Sequence, residues 1–176
     1  PKVVDHMSDM DSGPMTLMHG DFRLDRLFFG DGDGDNLAVV DWQVSGIGSG
    51  LYDVAYFLVS SVTTEVRRTV ERELLEEYYE IVCSMGASDF TFEECWNLYR
   101  SNVLGSLLVS VISCGRLDLA HDRSRRLVEN GLVRSLAAIE DLDTGEFLPT
   151  RRGLLSPANV FSSLSGGAYR ILRAVR

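Results

Sequence analysis

The chain has 176 residues, enough for one domain, or part of one, with a single core of ordinary size. Its net charge of −9 argues against nucleic acid as the main partner, because phosphates are repelled. No apolar run reaches the roughly 20 residues that a membrane span needs, so no membrane partner is expected, and Val103 to Cys114 reads as a buried helix.

The charge is uneven. Residues 147–176 contain five Arg and no acid, which leaves the remainder at −14, with 12 basic and 26 acidic residues. Cys83, Cys95 and Cys114 form neither a C-x-x-C pair nor a metal-binding spacing. An odd count without a signal peptide predicts free thiols in a reducing, cytoplasmic compartment.

Taken in order, residues 1–15 are polar and aperiodic and read as a disordered or inter-lobe arm. Leu27 to Phe29 and Leu37 to Val40 are β-prone runs around Gly30 to Asn36, whose Gly, Asp and Asn residues suit a tight hairpin. Gly46 to Gly50 reads as a flexible link, and Tyr52 to Val59 as the start of a buried helix. From Thr63 the period becomes helical, with Val66, Val70, Leu74, Tyr78 and Val82 on one stripe and Gly86 as the stop. A second helix runs from Phe92 to Cys114, opened by the capping-box pair Thr91 and Glu94. A third runs from Leu117 to Leu142, with Val128, Leu132, Leu136 and Ile139 inward and Gly145 and Pro149 ending it. The expected fold is therefore mostly α with a small β-hairpin (α+β), followed by a basic tail over 150–176.

The chemistry is concentrated between Leu17 and Leu58. Asp21 follows His19 by two residues in a short loop, and Asp41 ends a β-prone run. A hairpin between them brings the two carboxylates near each other. That arrangement suits phosphoryl transfer, in which one carboxylate accepts the proton of an attacking hydroxyl and another holds Mg²⁺ on nucleotide phosphates. The simpler alternative is that each aspartate caps a turn.

Three motifs occur in order: His19-Gly20-Asp21-Phe22-Arg23-Leu24-Asp25, then Val39-Val40-Asp41-Trp42-Gln43, then Leu51-Tyr52-Asp53-Val54-Ala55-Tyr56-Phe57-Leu58. Together they closely resemble the aminoglycoside phosphotransferase and choline kinase-like family, and within it the branch related to ecdysteroid kinases. The resemblance covers residues 16–149 and implies the C-terminal lobe of the protein-kinase-like fold. It implies Asp21 as the catalytic aspartate and Asp41 as the magnesium-binding one. His19 would be a structural member of the catalytic loop, and Asp53 would accept hydrogen bonds from that loop's backbone. It also implies Mg²⁺, ATP or GTP, and a small hydroxyl-bearing substrate.

Two departures from the pattern stand out. Arg26 occupies the position where the family places Asn as a second metal ligand; a guanidinium has no lone pair to offer, and Arg26 is expected instead to contact phosphate or to pair with Asp41. Only 18 residues precede His19, and the only lysine is Lys2, so no Gly-rich loop or strand lysine of an N-terminal lobe is expected within this sequence. The expectation is a lobe with little or no turnover on its own. Its exposed cleft would favour self-association.

Rival motifs are weaker. Asp31 to Asn36 resembles the first half of a calcium loop, but Asn36 and Trp42 stand where Gly and Glu are needed. The glycines at 46, 48 and 50 lack the Lys-Ser/Thr of a Walker loop. Two functions remain: a small-molecule O-phosphotransferase lobe, or a non-catalytic, pseudokinase-like binding module.

Overall fold

Short strands come first and long helices follow. The computed structural model describes residues 13–30 and 36–147. The calcium-loop segment at 31–35, the stop at Pro149 and the basic tail lie outside the described residues, as does the arm up to residue 12. The strands are β1 (Met15–Met18), β2 (Leu27–Phe29), β3 (Leu37–Val39) and β4 (Gly46–Ser49). The helices are α1 (Gly50–Ser60), α2 (Thr64–Ser84), α3 (Phe92–Arg116) and α4 (Asp122–Asp141). The described chain is mostly helical, with two small antiparallel sheets, β1–β4 and β2–β3. None of its helices is long and apolar enough to cross a membrane.

The residues around 46–50 differ from the expected flexible link. Gly46–Ser49 pairs with β1 in the register Met15↔Ser49 to Met18↔Gly46, and Gly50 already begins α1. Glycine has low strand propensity, so local sequence hides this strand; pairing with a distant segment supplies it. Gly50 is also a place of close approach. A Cβ there would lie 2.7 Å from the Tyr78 hydroxyl and 2.9 Å from the Thr16 methyl.

Helix ends follow their capping residues. Thr63 Oγ1 accepts from the Val66 N–H, and Thr91 and Glu94 form a full capping box. Gly86 has φ +112°, a conformation that favours glycine after a helix. The third long helix starts at Asp122, not at Leu117. Leu117 is extended, and the Asp118 carboxylate accepts from the Ala120 N–H, a side-chain bond that competes with helix.

α3 is the central helix and packs against both α1 and α4, which also touch each other. Its Cys95, Tyr99 and Val103 join Leu51, Ala55, Leu58 and Val59 of α1 in the core, with Leu75 of α2 and Ala138 of α4. Of the apolar stripe on α2, Val70, Tyr78 and Val82 pack partly buried against the core, but the fully buried line lies one residue further on. Arg67, Glu71 and Leu75 are buried, whereas Val66 and Leu74 are 46% and 41% exposed. Arg67 is tolerated inside because it is paired. Its guanidinium bonds Glu71 at 2.5 Å and also Asp141 of α4, and Glu71 accepts the Tyr99 hydroxyl at 2.7 Å. A buried charge without such partners would be prohibitively costly.

Asp141 accepts from both Arg68 and Arg67, and these bonds hold its carboxyl below the usual carboxylate range. A depressed carboxyl stabilises the fold above its unfolded value of 3.8, and that share fades as pH falls through the lower folded value. Asp141→Asn should therefore cost about 1.5–3 kcal/mol in urea unfolding at neutral pH. The difference from wild type should shrink well below the ordinary carboxylate range. An equal cost at both ends of an acid titration would show that the charge of Asp141 does not matter.

Candidate active site

The loop from His19 to Arg26 is held at both ends of α1. At the start of that helix, Asp53 Oδ2 accepts from the His19 N–H at 2.6 Å, and Oδ1 accepts from the Gly20 N–H at 2.9 Å. At the other end, Ser61 Oγ accepts from the Leu24 N–H at 2.9 Å. One carboxylate thus satisfies two consecutive backbone donors and fixes the direction in which the chain leaves β1. Gly20 has φ +82°, and a Cβ there would sit 2.6 Å from the Val44 carbonyl oxygen. Only glycine fits this turn.

His19 is buried and spans the loop. Its Nδ1 accepts from the Asp21 N–H at 3.2 Å, so Nε2 carries the hydrogen and donates to the Val40 carbonyl at 2.8 Å. The ring lies 4.8 Å from that of Trp42 and 5.9 Å from that of Phe22. His19 therefore couples the residue before Asp41 to the backbone of Asp21.

Asp21 and Asp41 are brought together at one point. Arg26 Nη2 lies 2.7 Å from Asp21 Oδ2 and 2.8 Å from Asp41 Oδ2. Arg26 Nε donates to the same Asp21 oxygen at 3.1 Å. The other oxygen of Asp21 faces Arg23 Nε at 3.2 Å, an ion pair without the alignment of a hydrogen bond, and Arg23 Nη1 lies 3.2 Å from Asp25. Asp41 adopts the left-handed conformation, φ 72° and ψ 50°, which is uncommon outside glycine and concentrates at functional sites. Hydrogen bonding to Asp21, reinforced by the fields of Asp41 and Asp25, raises the Arg26 guanidinium pKa further above its already high value.

Two phenols border the carboxylates. Tyr52 and Tyr56 stack at 6.2 Å, one turn apart on α1. Burial, followed by the field of Asp21, pushes the Tyr56 phenol up to about 12. Burial and the fields of Asp53 and Asp21 raise that of Tyr52. Sequence reading did not single out Arg23, Tyr52 or Tyr56. The available signal was their spacing: Arg23 lies two residues after Asp21, and the tyrosines flank Asp53 at a helical interval.

Mg²⁺ is the metal implied by the resemblance, and the residues as arranged do not fit it. Among the described residues, no group of three or more His, Cys, Asp or Glu side chains is arranged to hold a metal. The space between Asp21 and Asp41 is bridged by a guanidinium nitrogen, which offers no lone pair and repels a dication.

A match of just under half of the chain to a kinase-like family suggests a phosphotransferase-type fold. Residues 2–85 match the ecdysteroid kinase-like family model. Among curated proteins, the chain is 34% identical over 98 residues to acyl-CoA dehydrogenase family member 10 of Mus musculus, covering 49% of this chain and 9% of that protein. It is 33% identical over 85 residues to acyl-CoA dehydrogenase family member 11 of Gallus gallus, covering 42% of this chain and 11% of the relative. Against family member 11 of Homo sapiens it is 49% identical over 42 residues, 24% of this chain and 5% of that protein. The chain thus spans about a tenth or less of the length of these relatives. No solved structure matches it.

Asp53→Ala should cost about 2–4 kcal/mol, because two backbone donors lose a charged acceptor. Urea unfolding followed by Trp fluorescence would measure this, since the Trp42 ring lies against the loop's histidine at a tilt. A cost within experimental error of zero would mean that Asp53 does not hold the loop.

Proposed function

We propose that this chain is the carboxylate-bearing lobe of a small-molecule O-phosphotransferase, which moves the γ-phosphate of ATP or GTP to a hydroxyl. The observation that carries this reading is the convergence of Asp21 and Asp41, twenty positions apart, on a single nitrogen atom. In this reading Asp21 takes the proton of the attacking hydroxyl. His19 and Asp53 act only by fixing the loop that carries it. Tyr52 and Tyr56 form the wall beside Asp21 against which an acceptor would rest. The use of a nucleotide, together with three free cysteines, goes with a cytoplasmic setting.

The same nitrogen favours a second reading. Both motif carboxylates are already engaged, so turnover by this chain is expected to be slight. A kinase-like binding module without catalysis is the alternative. Transfer of labelled γ-phosphate to pooled amino alcohols, sugars and sterol-like alcohols separates the two. Asp21→Asn should lower any measured transfer by about 10²–10⁴-fold, the range for a lost general base. Transfer that survives this substitution removes Asp21 from the chemistry. A wild-type chain with no transfer leaves the binding-module reading.

The sheets leave large apolar side chains in solvent. Ile47, Leu17 and Met15 on one sheet are 70%, 60% and 53% exposed, and Phe29 and Phe28 on the other are 69% and 60% exposed. Large apolar side chains left in solvent on both sheets suit a covering partner, a second copy of the chain included. Size-exclusion chromatography should show concentration-dependent association. A clean monomer that binds no hydrophobic dye would overturn this expectation.

A further inference from the structure

We infer that Arg26 is a tethered counter-cation that takes the place of a divalent metal between Asp21 and Asp41, so that this chain holds its paired carboxylates together without one. The inference rests on the phosphotransferase-lobe reading only for the expectation of a metal there.

The geometry is specific to this side chain. Nη2 reaches one oxygen of each aspartate at 2.7 and 2.8 Å, and Nε adds a second bond to Asp21. The backbone aims the arginine there. Arg26 closes a 3₁₀ turn, Leu24–Arg26, and its carbonyl accepts from the Val40 N–H at 3.0 Å, one residue before Asp41. The next pair along, Leu27↔Val39, is already in the β2–β3 ladder. The arginine and Asp41 are thus held across the same ladder end, and the side chain spans the short gap.

The charges are close to balanced. Asp21, Asp25 and Asp41 supply three negative charges, and Arg23 and Arg26 return two. A dication entering the site would have to displace Arg26 from both oxygens or lie beside its positive charge. Mg²⁺ is commonly held by one or two carboxylates together with water and substrate phosphates, so the pair, were it free, would supply the protein's share of ligands. The neutral amide of Asn at this position would free it and add an oxygen donor.

The test uses Mn²⁺ as the probe on the full 176-residue chain, with no nucleotide or acceptor present. Electron paramagnetic resonance should find essentially no bound Mn²⁺ on wild type at about 1 mM metal, and at least about tenfold tighter binding by Arg26→Asn. In chelator, Arg26→Asn should melt about 3–6 °C lower than wild type, and Mn²⁺ should restore part of that loss while leaving wild type unmoved. Adding Asp41→Asn should abolish the gained binding. Arg26→Lys, which keeps the charge, should stay closed to metal; if it binds Mn²⁺ as tightly as the Asn variant, the charge argument fails. Wild type binding Mn²⁺ as well as Arg26→Asn, or no gain in the Asn variant, overturns the inference. Because no phosphate moves in this assay, either result leaves the phosphotransferase reading to its own label-transfer test.

Discussion

One carboxylate, that of Asp53, sets the geometry on which everything else rests. Two successive backbone N–H groups at the exit of β1 have no strand partner, and buried donors of that kind must be satisfied. Asp53 takes both from the first turn of α1. The strand, the loop and the helix therefore meet at a fixed angle. The core beneath gives that joint its rigidity, because α1 buries Leu51, Ala55, Leu58 and Val59 against α3. His19 then carries the constraint sideways, from the loop to the carbonyl of Val40. The position of Asp21 relative to Asp41 follows from that chain of contacts.

The electrostatics above this joint are decided by neutralisation. Two carboxylates sharing a site repel each other, and that repulsion must be offset by a cation or by protonation. In this chain the cation is covalently attached, at Arg26, with Arg23 on the far oxygen of Asp21. Guanidinium is well suited to this place, because it does not lose its proton; its Nη2 hydrogen-bonds Asp21 and forms an ion pair with Asp41. Such a cluster is stable at rest, and for the same reason it is reluctant to accept further charge.

Parts of this were legible in the chain and parts were not. The capping box of α3 is a local code, and Thr91 and Glu94 could be read directly. The buried face of α2 could be read only in part: Val70, Tyr78 and Val82 do pack inward, but a stripe drawn through Val66 and Leu74 assumes that charged residues stay outside. Arg67 and Glu71 are inside because Asp141 and Tyr99, distant in sequence, complete their bonding. β4 was hidden by its glycines, since its pairing comes from β1. At the site, the family resemblance singles out Asp21, Asp41 and Asp53 and marks Arg26 as a departure. A pairing of Arg26 with Asp41 is among the readings of the sequence; that the same nitrogen also holds Asp21 depends on the hairpin register, which no local pattern encodes.

The way the loop is anchored bears on how such a site can change over time. Its backbone is secured from underneath, by Asp53, Ser61 and the histidine ring, and none of those fastenings uses the side chain at position 26. Inheritance can therefore exchange what stands at that one position without dismantling the scaffold. A lineage built this way can surrender its chemistry and keep its shape, and the retained shape stays available for another purpose.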